Sequence, residues 1–576
     1  MKIFSSFPSL RFNFSSTTAY LGISVIFGLN AALVASAQSI PPIVPPSERL
    51  PQPIPSVLPS QPVPLTPPAP APANSPLPAT EQIKVLRYEV VGSTVFSAQE
   101  LAQVTQPFTG AVTFDRLQAA RKAIERLYLD RQYLTSGAYI PTGQILSIDG
   151  AVVRIQIVEG KLEDIQVTGT QRLKPEYIRS RLALATRQPL NNDRLIEGLR
   201  LLQQDPLIGS IAAELSSGIQ PGTNLLEIKV RENKTFQSEI ATNNYRAPTI
   251  GSWQRRAQIS EANVTGWGDS VILAYSNTDG SNGIDTSYTV PLNPFQTTLS
   301  VNLGGTNSRI IEEPYRSLDI TTNSRYAEVS VRHPLLRRAR QDFTQEFALS
   351  LTGSRLESSS ALGNTPYPLS PGADDNGRIG VSALRFGQEY LYRDSRSVLA
   401  LRSQVNVGIN ALNSTMNNNA PDSRFVSWQG QGRWLQQLAP NTDLIVQGRV
   451  QLADRSLVSL EQFVVGGQTT VRGYRQDALL ADNGAFASVE LQLPIGKSTG
   501  NVFQVAPFID AGTVWSKSNP SGNGSDTLLS TGLGLQWRTD NLSARLDWGI
   551  PLINIPGSQN SLQDNGLYFS VRYFPF

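Results

Sequence analysis

The chain has 576 residues, no cysteine, a single histidine (His333) and a formal net charge of +3. A length of this order calls for two or more folding units, and the lack of cysteine excludes disulfides and thiolate metal sites. One histidine removes most His-dependent triads and zinc-binding clusters, and a charge so near neutral offers no polybasic surface for nucleic acid. We therefore expect no catalytic residue, no metal and no cofactor.

Residues 1–37 read as a secretory signal peptide. Lys2 and Arg11 supply positive charge, Ala19 to Leu33 is mostly apolar, and Ala35-Ser36-Ala37 is a small-x-small cleavage site before Gln38. No later stretch of about 18 apolar residues occurs, so no transmembrane helix is expected. Residues 38–80 hold Pro41-Pro42, Pro45-Pro46, Pro67-Pro68, Pro70 and Pro72. Proline removes backbone donors and favours extended geometry, which makes this stretch a semi-rigid spacer. A partner-binding proline motif is the other reading of it.

Residues 81–160 and 161–233 read as two copies of one β-α-α-β-β unit. In the first, Val85 to Gly92 forms a strand entering a turn, and a short helix fits near Ser97 to Val104. Thr113 can cap a helix with Leu117, Ala120, Ile124 and Leu127 on one face, and Gly137 lies past its end. Two strands, Ile145–Ile148 and Val152–Val158, then flank an Asp149-Gly150 hairpin turn. In the second, Ile165-Gln166-Val167 leads into Gly169, and a helix follows near Pro175 to Leu184. A further helix from about Asp193 carries Leu195, Leu199 and Leu202. Strands near Ile211–Leu215 and Leu225–Val230 complete the unit. One α+β domain spanning both is the alternative.

From 234 to 576 the periodicity is two. Val405, Val407 and Ile409 alternate with Asn406, Gly408 and Asn410; Val489 and Leu491 with Ser488, Glu490 and Gln492; Leu546, Trp548 and Ile550 with Arg545, Asp547 and Gly549. Runs of this kind, parted by polar stretches such as Asn417-Asn418-Asn419 and Ser518–Asn523, suit a transmembrane antiparallel β-barrel, whose sheet must close because lipid cannot satisfy an open edge. A soluble sandwich or propeller alternates likewise, but the export signal and the length of the all-β region favour the membrane. His333, in Arg332-His333-Pro334, reads as a strand-end or turn residue, since proline ends regular pairing. At the chain end Leu567, Phe569, Val571 and Tyr573 alternate, and Pro575 sets Phe576 on the opposite parity.

Two short motifs lie in this region. Val471-Arg472-Gly473-Tyr474 is preceded by Phe463 and Gly466-Gly467, and Phe508-Ile509-Asp510-Ala511-Gly512 follows downstream. A guanidinium is a fixed fork that a carboxylate accepts bidentately, while glycine at 473 and 512 permits close approach. From about residue 82 onward the chain resembles the two-partner-secretion transporters, the haemolysin secretion and activation proteins. The resemblance implies that the two units are POTRA domains in the periplasm and that the barrel has sixteen strands in the bacterial outer membrane. It also implies that Val471, Arg472, Gly473 and Tyr474 sit on a loop folded back into the pore. There Arg472 pairs with Asp510, in the barrel-wall motif Phe508, Asp510, Gly512.

The function so implied is capture of an unfolded, β-rich exoprotein by periplasmic strand edges and its secretion across the outer membrane, with outer-membrane lipid as the other partner. Some family members carry a helix that plugs the pore ahead of the first module; the proline-rich spacer here leaves none expected. With no nucleotide-binding motif, energy must come from folding outside or from a ratchet. An insertase for outer-membrane proteins usually has more tandem modules, a passive porin needs none, and a surface enzyme lacks a recognisable site.

Overall fold

The structure, a computed structural model, describes residues 82–575 apart from 145–149, 419–420, 497–499, 517–525 and 556–560. The readings of residues 1–80 as signal peptide and spacer without a plug helix therefore lie outside the described residues. So do the Ile145–Ile148 strand with its Asp149 turn, the Ser518–Asn523 loop and Phe576.

The first unit comprises β1 (Ile83–Val91), α1 (Ala98–Thr105), β2 (Gly110–Val112), α2 (Phe114–Asp130), β3 (Gly137–Tyr139) and β4 (Ala151–Val158), with sheet order β2-β1-β4-β3. Helix α1 begins with a capping box, in which the Ser97 hydroxyl accepts from the Glu100 amide and the Glu100 carboxylate accepts from the Ser97 amide. Helix α2 buries Leu117, Ala120, Ile124 and Tyr128 against the sheet. Thr113 stands at its N-cap without a side-chain hydrogen bond, so the expected hydroxyl cap is not made. Gly137, expected only to follow the helix, opens β3, and it is β3 that pairs antiparallel with β4.

The second unit is β5 (Lys161–Thr168), α3 (Pro175–Ala185), α4 (Asn192–Gln203), β6 (Ile208–Ser217) and β7 (Thr223–Glu232), with sheet order β5-β7-β6. Pro175 occupies the first turn of α3, where its missing N–H costs nothing, and the Asn191 side chain caps α4. Leu195, Leu199 and Leu202 enter a core with Ile178, Leu182, Leu226 and Ile228. Both units share one internal device. Gly92 and Gly169 turn the chain at φ +91° and +86°, and a β-carbon there would lie 2.6 and 2.2 Å from the carbonyl oxygens of Ile157 and Val230. Beyond each glycine a glutamate from the last strand's end accepts loop amides. Glu159 takes Thr94 and Val95, while Glu232 takes Gln171, Arg172 and Leu173.

Sixteen of the remaining strands close into an antiparallel barrel, running from Phe236–Asn243 to Leu567–Tyr573. A two-residue strand, Thr365–Pro366, is an appendage of one loop. Side chains alternate as the sequence suggests: Arg402, Gln404 and Asn406 are buried inward, and Leu401 and Val407 are exposed outward. Outward rows include Leu533, Leu535 and Trp537, and Leu546, Trp548 and Ile550. The closing seam between the last and first strands is short, with four register pairs from Ser570↔Asn243 to Tyr573↔Ile240.

His333 is not at a strand end. It lies inside the strand Ile320–Ala339, opposite Leu349, and its Nδ1 is 2.7 Å from the Thr297 hydroxyl. The strand passes Pro334 because the register shifts between Pro334 and Leu336, so the missing N–H falls at a bulge instead of in the regular ladder.

The second unit is seated on the barrel end where the first strand begins. The Lys174 amide donates to the Gly266 carbonyl at 3.0 Å, the Arg172 guanidinium to the Asn263 carbonyl at 3.0 Å, and the Lys174 ammonium lies 4.5 Å from the Trp267 ring centre. A β-carbon on Gly268 would lie 2.5 Å from the Tyr177 ring, so the contact is close.

Candidate functional site

A segment of 29 residues, 454–482, connects the strands Thr442–Ala453 and Asn483–Pro494 at the end remote from the two units. It does not stay outside. Phe463–Val465 and Leu479–Ala481 pair as a short hairpin, and Gly466 and Gly467, at φ +112° and +92°, turn the chain toward Arg472. The loop tip lies mainly against the inner face of four strands, with Tyr568 of the strand Leu567–Tyr573 beside them. The four are the Glu490 strand (Asn483–Pro494), the Asp510 strand (Val502–Trp515), the strand Thr527–Arg538 and the Asp547 strand (Leu542–Pro551).

Period two explains the seat. Phe508, Asp510 and Gly512 occupy successive inward positions, with Ile509 exposed outward between the first two. Arg472 uses the first two of them. Its Nε and Nη2 donate to the two Asp510 oxygens at 2.7 and 2.9 Å, a bidentate fork, and its backbone amide donates to Asp510 Oδ2 at 3.1 Å. Its guanidinium carbon stands 3.4 Å from the Phe508 ring centre, a cation–π contact. Gly512 is the third: a β-carbon there would lie 2.9 Å from Val471 Cγ2, so this glycine makes room for the buried Val471.

Register supplies the rest. Glu490 pairs with Phe508, Phe508 with Gly532, and Gly532 with Gly549, which places these residues in one row around the wall. A β-carbon on Gly549 would lie 2.4 Å from the Gly473 nitrogen, so the loop backbone rests directly on this bare strand. Gly473 itself has φ +95°, a conformation that other residues rarely adopt. The Tyr474 hydroxyl reaches the Leu529 and Ile553 carbonyls, each at 2.8 Å. The Tyr568 hydroxyl accepts from the Gly473 amide at 3.1 Å and donates to the Tyr474 carbonyl.

All seven motif residues thus come together. The neighbours that complete the network were not singled out from sequence. Arg472 Nη1 donates to Glu490 at 2.6 Å and stands 3.5 Å from Asp547, while Arg545 pairs with both Glu490 and Asp547 at 2.7 Å. Two guanidiniums therefore face three carboxylates, and the Gln468 amide adds a bond to Asp547 at 2.8 Å. Their one sequence signal is parity, since Glu490, Arg545 and Asp547 are charges on the polar rows of alternating strands. A second latch holds the loop base, where Arg385 and Glu461, both buried, form a bidentate pair at 2.7 and 3.1 Å. Leu457 and Val458 pack there with Tyr326, Leu356, Val381 and Ala383 inside the barrel. Loop side chains therefore pack against the inner wall both at the loop base and around its tip.

The arrangement is that of a barrel pore holding an inward-folded loop and carrying tandem modules at its opposite mouth. The model for haemolysin secretion/activation proteins ShlB/FhaC/HecB matches residues 222–537, and that for ShlB-type POTRA domains matches residues 83–160. The chain belongs to the ShlB/FhaC/HecB family, the two-partner-secretion transporters that export an exoprotein through the outer membrane, with POTRA domains in the periplasm. The heme/hemopexin transporter protein HuxB of Haemophilus influenzae strain 86-028NP is 22% identical over 424 residues, 72% of each chain. Two solved structures share the fold. CdiB from Escherichia coli has a TM-score of 0.65 at 18% identity, covering 90% of this chain and 94% of its own. CdiB from Acinetobacter baumannii has a TM-score of 0.59 at 17% identity, covering 86% and 91%.

Proposed function

We propose that Arg472, held by Asp510 and Glu490, pins the 454–482 loop in a resting position, and that an unfolded β-rich exoprotein passes through the lumen once the loop yields. The observation that carries this reading is the fork of Arg472 on Asp510, set among buried side chains where water screens it little. In this reading residues 1–37 are removed on export, 38–80 space the modules from the mature start, 81–160 and 161–233 meet the exoprotein, and 234–576 form the pore, its outward rows against outer-membrane lipid. Capture uses strand addition. Strand β6 is at the edge of its sheet, ten residues long, with its inward side chains Ile208, Ile211 and Ala213 already packed in the core. The chemistry is binding and passage, with no catalytic step and no cofactor.

The test replaces Arg472 with alanine and follows surface appearance of the cognate exoprotein in intact cells. Removing one member of a buried ion network costs about 3–5 kcal/mol, so the loop is expected to leave its seat; the cycle of seating and release is then lost and secretion falls, with barrel insertion unchanged. Wild-type secretion by a correctly inserted Arg472→Ala barrel contradicts the proposed role. Asp510→Ala is expected to reproduce the defect.

A further inference from the structure

A cleft of about 310 Å³ lies between the second module and the barrel rim. Helices α3 and α4 and the loop between them form one wall and bring Arg181, Arg187 and Arg194; a barrel turn with Phe295 and the strand Ile320–Ala339 with Leu335 and Arg337 form the other. The two walls differ in chemistry. Leu335 follows Val329 and Val331 at the same parity, and all three are exposed outward. Leu292 likewise continues the outward row of Ile284 and Tyr288, and Phe295 is half exposed on the turn beside it. The apolar wall is therefore the periplasmic end of the lipid-facing surface.

The module wall is basic. Arg337 pairs with Glu346 at 2.9 Å, a carboxylate it shares with Arg332, and Glu197, the acid of the lining, accepts from the Ala339 amide at 3.3 Å. Arg181, Arg187 and Arg194 make no ion pair among the described residues. Arg181 lies 3.4 Å from the Tyr177 ring centre and donates to the Tyr177 carbonyl, and its Nε is buried without a partner. Arg194 donates to the Arg187 and Pro189 carbonyls, which fixes the loop that presents Arg187.

We propose that this cleft binds one anionic phospholipid of the periplasmic leaflet, its phosphate at Arg187 and Arg194 and its acyl chains on Phe295 and Leu335. Basic pockets at the membrane rim select anionic headgroups, and a lipid is the ligand that is acidic on the module side and apolar on the barrel side. Such a lipid would tie the second module to the barrel in a fixed attitude.

The test uses the full chain in neutral detergent and native mass spectrometry with phosphatidylglycerol and phosphatidylcholine of identical acyl chains. The wild type should retain one phosphatidylglycerol in clear preference, and Arg187→Gln should cut that preference about fivefold, the contribution of one arginine near a lipid surface. Phe295→Ser should weaken retention of both lipids, and heat-modifiable electrophoretic mobility reports barrel folding for each variant. Equal retention of the two lipids by the wild type overturns the proposal. So does an undiminished preference in folded Arg187→Gln, or displacement by soluble glycerol 3-phosphate, which would mark a site for free phosphate.

Discussion

At the residue scale the candidate site rests on a guanidinium and on the absence of side chains beside it. Arg472 can fork onto Asp510 only because Gly473 lies flat on Gly549, and Val471 enters only because Gly512 is bare. This separates backbone fit from charge. Gly549→Ala leaves every charged group in place but brings a β-carbon within 2.4 Å of the Gly473 nitrogen. Overpacking of this kind costs about 1–3 kcal/mol. We expect Gly549→Ala to reduce secretion like Arg472→Ala, though less, and to make the loop cleavable by added protease in folded barrels; a protected loop with normal secretion contradicts the fit. Much of the site was legible, since Arg-Gly-Tyr and Phe-x-Asp-x-Gly are local strings. Glu490, Arg545, Asp547 and Gly549 were not, because their meeting depends on register across four strands, which no local pattern states. The Arg385 to Glu461 latch spans 76 residues and carries no motif.

At the scale of elements, helices and strands followed their periodicities closely, and the exceptions have physical causes. Thr113 begins its helix without a side-chain hydrogen bond to it, and Pro334 is tolerated inside a strand because a bulge absorbs its missing donor. The hidden regularity was the glycine and glutamate device. Gly92 and Gly169 were visible as turn residues, but the pairing of each turn with Glu159 or Glu232 joins residues about sixty positions apart. Glu232→Ala should free the amides of Gln171, Arg172 and Leu173 together, at a cost of about 1–2 kcal/mol. Limited proteolysis of the full chain should then cut near residues 170–174 faster than in the wild type, with the barrel intact. An unchanged cleavage rate would show that the loop is held by other contacts, such as the Lys174 amide on Gly266.

At the scale of the molecule, the sequence displays a barrel and two modules but not how they are joined. Strand number came from a resemblance, since alternation alone counts no strands. The docking of the second module on the turn Asn263–Gly268 follows from shape and polar contacts between distant segments. The whole is a transporter barrel with one loop folded against its inner wall and the second module docked at its periplasmic mouth. Passage of the exoprotein inside the barrel is testable, and the alternation of one strand provides the control. On the strand Val426–Ala439, Gln431 faces the lumen and Trp428 faces outward. A photo-crosslinking residue at each position, with an exoprotein stalled during secretion, compares the two faces directly. Passage through the lumen gives a crosslink from position 431 and none from 428. A crosslink from 428 alone, or from neither while secretion proceeds, would contradict it.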